Sequence, residues 1–300
     1  MAVSTPIIKK HMDNRRAVSV DHYENFPVAS FFCPPALRPA ITAIYHFART
    51  ADDIADEGNA PAADRLAALE RYEHALAGAS HGRNDSEWPQ VFGPLAREIE
   101  AQRLPVALLG QLLAAFKQDT YNPLYADRAA VLDYCSRSAN PIGRLLLHLA
   151  AMDDAQARTQ SDAVCSALQL INFWQDMSID HARGRFYVPL ADAQRHGLDV
   201  ATLRTDSDAS RALVRDLCRW ARELMQQGAP LVHRLPGRFG WELRLVVQGG
   251  LRILDKIERH GFDTLGRRQT LVALDAPLLL WRALWMRRGA VALRPDAAAR

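Results

Sequence analysis

Tyr45-His46-Phe47-Ala48-Arg49-Thr50-Ala51-Asp52-Asp53-Ile54-Ala55-Asp56-Glu57 is the stretch from which the rest of the chain can be read. The spacing predicts a helix over 36–57, on which residues three and four apart share a face. That face shows Tyr45, Arg49, Asp52 and Asp56. The two aspartates stand one turn apart, and like charges at that spacing destabilise a helix unless something offsets them. Either Arg49 pairs with Asp52 on a solvated face, or a divalent cation bridges the carboxylates.

A second stretch repeats the pattern. In Gln169-Leu170-Ile171-Asn172-Phe173-Trp174-Gln175-Asp176-Met177-Ser178-Ile179-Asp180, positions 169, 172, 176 and 180 form a stripe of Gln, Asn, Asp and Asp. Phe173, Trp174, Met177 and Ile179 cover the other faces. A polar stripe on so apolar a helix suggests a cleft rather than open solvent. Arg183, Arg185 and Tyr187 follow. The Asp-x3-Asp spacing alone proves nothing. With 24 aspartates in 300 residues, chance supplies about two such pairs, and the flanking residues carry the argument.

Carboxylates without His or Cys companions favour Mg²⁺ over zinc, and Mg²⁺ typically shares its shell with substrate phosphate oxygens. Arg49, Arg183 and Arg185 add charge-assisted phosphate donors. A diphosphate ligand is the expectation, with Mg²⁺ held by Asp52, Asp56, Asn172, Asp176 and Asp180 and supported by Asp53. No P-loop or GxGxxG is present, which argues against a nucleotide.

The remainder reads as helix almost throughout: 63–79, 88–103, 105–119, 127–151, 155–183, 190–196, 209–233, 239–260 and 267–287. Pro141 must kink or break the tract that contains it. Asn140 then either caps the second half-helix or lines a pocket and places a water. Gly249-Gly250 signals close packing or room for a ligand. The expected architecture is all-α, one helical domain over 21–288 flanked by loosely ordered ends at 1–20 and 289–300.

Composition narrows the class further. Hydrophobic residues make up 49% and charged residues 24%, which excludes a disordered chain. Lys+Arg 37 against Asp+Glu 34 is too even for a nucleic-acid binder. Cys33, Cys135, Cys165 and Cys218 are widely spaced and read as reduced thiols, pointing to a cytoplasmic protein. No apolar run is long enough to span a bilayer. Trp281, Trp285 and Met286 with Arg282, Arg287 and Arg288 read first as core packing. The alternative is an interfacial helix making peripheral contact with the inner face of the membrane.

At these residues the sequence resembles the squalene/phytoene synthase family. The resemblance spans about residues 20–265 and rests on Asp52-Asp53-Ile54-Ala55-Asp56-Glu57, Asn172 to Asp180, Arg185-Phe186-Tyr187 and Tyr134-Cys135. It also rests on His22-Tyr23-Glu24-Asn25-Phe26, similar to the family's segment that lines the substrate pocket. It implies an isoprenoid synthase fold with a central cavity. His22, Phe26, Arg49, Tyr134, Gln169, Arg185 and Tyr187 would meet a prenyl diphosphate, and Tyr45, Arg49, Asn140 and Tyr187 would assist its chemistry. Where most members carry Arg and Glu before the second pair of aspartates, this chain has Gln175 and Ile179. Together with Ser138-Ala139-Asn140-Pro141, this resembles the bacterial hydroxysqualene synthase branch of hopanoid synthesis. That branch converts presqualene diphosphate and water to hydroxysqualene with Mg²⁺ and without NADPH, taking substrate from a presqualene diphosphate synthase. The alternatives are a head-to-head prenyl transferase making presqualene diphosphate or phytoene, and a non-catalytic assembly or lipid-binding relative.

Overall fold

Local chemistry sets where the helices begin. Asp127 accepts from the Ala130 amide and Asp154 from the Ala157 amide, both at 2.9 Å. Ser207 and Ser210 exchange reciprocal side-chain-to-backbone bonds of 3.1 and 2.8 Å. Each satisfies amides that the first helical turn leaves without partners. The computed structural model describes residues 34–56, 60–83, 87–152 and 154–286, and among these every regular element is helical. Helices α1 (Arg38–Asp56), α2 (Ala62–Ala79), α3 (Pro89–Gln102) and α4 (Val106–Asp119) come first. Then follow α5 (Arg128–Ser138), α6 (Asn140–Leu149), α7 (Ala155–Gln175), α8 (Met177–Ala182), α9 (Leu190–Arg195), α10 (Asp208–Gly228), α11 (Gly237–Arg259) and α12 (Ala276–Leu284).

Two cores hold them. The first joins α1 to α4 through Phe47, Leu69, Tyr72, Phe92, Leu95 and Leu109. The Tyr72 hydroxyl, buried there, donates to the Phe47 carbonyl at 3.0 Å. The second gathers α5, α7, α10 and α11 around Trp174, Leu170, Leu217, Met225 and Leu254. Helix α7 is its axis. A Cβ at Gly228 of α10 would meet the Gln160 carbonyl oxygen at 2.5 Å, and one at Gly143 of α6 would meet Ser161 Oγ at 2.4 Å. Gly228 faces fixed backbone and has no room for a side chain, while Gly143 faces the side chains of Ser161 and Cys165, so α6 and α10 lie close against α7 where these positions lack a side chain. A Cβ at Gly250 would likewise crowd Leu168, Ile171 and Met225 at 3.0–3.1 Å, so close packing explains that glycine.

Three expected tracts are divided or shortened. Residues 127–151 break at Ala139 (φ −124°, ψ −47°), two residues ahead of Pro141, whose ring is incompatible with a continuous helix. Residues 155–183 break at Asp176 (φ −103°, ψ 12°), which ends α7 and precedes α8. The expected helix over 267–287 shrinks to α12. Asp275, 3% exposed, is fixed by Arg252 Nε (2.7 Å) and Lys256 Nζ (2.5 Å) and accepts from the Val272 amide (2.8 Å). The Val272 bond caps a short 3-10 helix, Ala273–Asp275, that precedes α12, and Pro277 suits only the first turn. The expectation of core packing for Trp281 and Trp285 is corrected: both are exposed. Cys135, Cys165 and Cys218 are free thiols.

Candidate active site

A cavity of about 700 Å³ lies where the two cores face each other, within the size range of small-molecule sites. Its depth is apolar, lined by Ile44, Phe116, Leu145, Leu168, Phe239 and Val246 among others. Its mouth is charged. All four residues of the α1 stripe (Tyr45, Arg49, Asp52 and Asp56) line it, as do all four of the second stripe (Gln169, Asn172, Asp176 and Asp180). The two motifs, far apart in sequence, therefore flank one opening.

Arginines hold the carboxylates at that opening. Arg49 reaches Asp52 at 3.3 Å and Asp53 at 2.8 Å along α1. Asp56 accepts from Arg183 at 3.0 Å and also pairs with Arg185, so the chain after α8 is tied back to α1. Asp176 is gripped by both Nε and Nη2 of Arg268 at 2.5 and 3.0 Å. Asp180 differs. Burial, reinforced by the neighbouring Asp176 charge, pushes its carboxyl up to about 7 against the pull of Arg183 and Arg268. A half-buried carboxylate with a like charge one turn away is what a bound cation would stabilise.

No group of three or more Asp, Glu, His or Cys is gathered as a ready-made metal cluster among the described residues. Asp52, Asp56 and Asp176 instead face guanidinium groups. The donor set nevertheless suits a hard divalent cation. It offers carboxylate and carboxamide oxygens from Asp52, Asp56, Asn172, Asp176 and Asp180, with neither sulfur nor imidazole among them.

Behind the mouth stands an aromatic wall. Phe173 and Tyr187 stack with centroids 3.8 Å apart and planes 6° from parallel, and Tyr134 lies 6.1 and 5.9 Å from them. The Tyr134 hydroxyl donates to Asp119 Oδ2 at 2.8 Å. Burial raises the Asp119 carboxyl to about 7. The Tyr134 bond and Arg137 work against that rise, and the charges of Asp52 and Asp180 add to it. Asp119 thus feels both acidic motifs. Tyr134 and Tyr187 are held well above the usual phenol range, chiefly by burial, so they act as neutral donors.

Asp119 and Arg268 escaped the sequence reading. Each is a single charged residue without a surrounding pattern, and only the fold brings it to the cavity. Asp53 and Asn140 are not among the cavity-lining residues. Asn140 begins α6, does not cap it, and its carboxamide oxygen accepts from Ser166 Oγ at 3.0 Å. His22 and Phe26 lie outside the described residues.

The profile of the squalene/phytoene synthases matches residues 20–275. The chain belongs to the squalene/phytoene synthase family. Members of this family act on prenyl diphosphates with a divalent metal in isoprenoid biosynthesis. Similar family members include the hydroxysqualene synthase of Zymomonas mobilis, 40% identical over 55% of this chain and 54% of that protein. The hydroxysqualene synthase of Rhodopseudomonas palustris is 31% identical over 84% of this chain and 85% of that protein. The phytoene synthase of Thermus thermophilus is 31% identical over 87% and 88%. Among solved structures, squalene synthase HpnC from Alicyclobacillus acidocaldarius superposes with a TM-score of 0.73 at 36% identity. That superposition covers 80% of this chain and 90% of that one.

Proposed function

We propose that this protein ionises presqualene diphosphate and captures the resulting cation with water, giving hydroxysqualene and diphosphate. The observation that carries the reading is a cavity whose mouth joins both aspartate stripes to Arg49, Arg183, Arg185 and Arg268 above an apolar depth. Such a mouth suits a diphosphate and such a depth suits a prenyl chain.

Asp52, Asp56, Asn172, Asp176 and Asp180 would hold Mg²⁺, which supplies Lewis-acid stabilisation of the leaving diphosphate. The guanidinium groups of Arg49 and Arg185 add charge-assisted hydrogen bonds to the phosphate oxygens as negative charge develops there. The apolar wall keeps bulk water from the carbocation. Tyr134, Phe173 and Tyr187 line the cavity, and aromatic rings attract a cation. One water oxygen then bonds to the cationic carbon. Its proton passes to Asp119, whose pKa of about 7 suits a base that works near neutrality. Asn140, tied to Ser166 behind the cavity wall, supports the geometry of the α5–α6 break rather than holding that water.

A head-to-head prenyl transferase is the second reading. It is favoured by the phytoene synthase relative, as similar over a comparable share of its length as the hydroxysqualene synthase of R. palustris. Gln175 and Ile179, which replace the residues usual in condensing members, support the first reading over it. The intact carboxylates at 52, 56, 176 and 180 argue against a non-catalytic role. The decisive experiment is incubation with presqualene diphosphate and Mg²⁺ in H₂¹⁸O, with and without NADPH. The proposal requires an ¹⁸O-labelled C30 alcohol in both. Squalene formed only with NADPH, or no turnover of presqualene diphosphate, overturns it.

A further inference from the structure

Helix α12 carries its apolar face outward. Leu280, Trp281, Leu284 and Trp285 are 51–61% exposed, and Leu274, just ahead of the helix, is 89% exposed. With Pro277 these residues fall at i, i+3, i+4, i+7 and i+8, a single helical stripe. The inner side is held by small and polar contacts. Ala283 is fully buried, Arg244 donates to its carbonyl at 3.2 Å, and Arg282 turns inward to Asp255 at 2.8 Å. The one charge in α12 is therefore committed to the protein. A helix face meeting water carries polar residues, whereas this one presents two tryptophans and two leucines.

We propose that this stripe docks the protein on an anionic lipid bilayer, with α12 lying in the plane of the interface. Four features select lipid over a protein partner. Trp is the residue favoured where hydrocarbon meets headgroups. A nine-residue helix is about 14 Å long, too short to cross a bilayer core of about 30 Å but suited to lying along its surface. The sequence after it carries Arg287, Arg288, Arg294 and Arg300 against the single acid Asp296, the balance that complements anionic headgroups. Finally, α12 packs on α11, which supplies Phe239, Leu243 and Val246 to the cavity and Arg244 to the Ala283 carbonyl of α12. The apolar cavity wall and the apolar outer stripe are thus carried by two helices packed against each other.

The test is flotation of the full chain with vesicles of phosphatidylcholine and phosphatidylglycerol at 7:3, alongside sedimentation equilibrium without lipid. The wild type and Trp281→Phe/Trp285→Phe should float with the vesicles. Trp281→Ser/Trp285→Ser, checked as folded by circular dichroism, should partition at least tenfold less. None of these readouts depends on turnover, so the result stands apart from the reaction proposed above. Failure of the wild type to float, or equal flotation of the serine variant, overturns the proposal. So does a wild-type dimer that the serine variant dissociates, which would make the stripe a contact between copies.

Discussion

Asp119→Asn isolates the electrostatic strain built into the cavity. Burial raises this carboxyl from 3.8 to about 7, so the folded protein holds the proton more tightly than the unfolded chain does. The resulting stabilisation is fully present below about pH 4 and is lost as pH rises through 7. Three pH units correspond to about 4 kcal/mol at 1.36 kcal/mol each. Asp119 lines an open cavity, so about half of that, ~2 kcal/mol, is the expected cost of the ionised form. Asparagine cannot ionise and still offers Tyr134 an acceptor oxygen. In metal-free buffer the variant should therefore be more stable than the wild type by ~2 kcal/mol at pH 8 and by only ~0.5 kcal/mol at pH 4, near the unfolded pKa. Urea unfolding at the two pH values measures the difference, and comparing variant with wild type cancels the other titrating groups. Turnover should be lost at pH 8. A stability difference that is the same at pH 4 and pH 8 would refute the reasoning, because it would place the cost in packing rather than charge.

Asp52→Asn and Asp176→Asn should each nearly abolish Mg²⁺-dependent diphosphate release. Without metal each should change stability by at most about 1 kcal/mol, since the ion pairs lost to Arg49 and Arg268 are partly exposed; kinetics and thermal unfolding check both. Restoring the residues usual in condensing relatives should split in two. Ile179→Glu, at the cavity edge and 37% exposed, should fold normally. Gln175→Arg places a cation at a position with no exposure and should cost several kcal/mol. The pair should yield no presqualene diphosphate from farnesyl diphosphate, as product analysis can verify.

Much of the site is readable in the sequence because it is periodic. Residues 45, 49, 52 and 56 needed only helical geometry to fall on one face, and the cavity receives all four. The stripe 169, 172, 176 and 180 also reaches the cavity, although the helix breaks inside it. No Gly or Pro marks that break. Asp119 and Arg268 are isolated in sequence and join the site only through the packing of α4 and the segment after α11. The outward turn of Trp281 and Trp285 is invisible to composition, which treats any aromatic as a core candidate. What decides it is Arg282, drawn inward to Asp255. That pair turns the opposite side of α12 to solvent.

The arginine pairs at the mouth have a thermodynamic consequence. Arg49, Arg183, Arg185 and Arg268 serve as placeholder counter-ions for Asp52, Asp53, Asp56 and Asp176. A cation arriving at these carboxylates must displace a guanidinium, which weakens its own affinity. The displaced guanidinium is then free to meet a phosphate. The same side chains therefore compete with the first ligand and recruit the second, so each ligand raises the affinity for the other by an equal factor. An anion entering alone finds its donors occupied, and a cation entering alone finds its ligands taken; the site favours the two together.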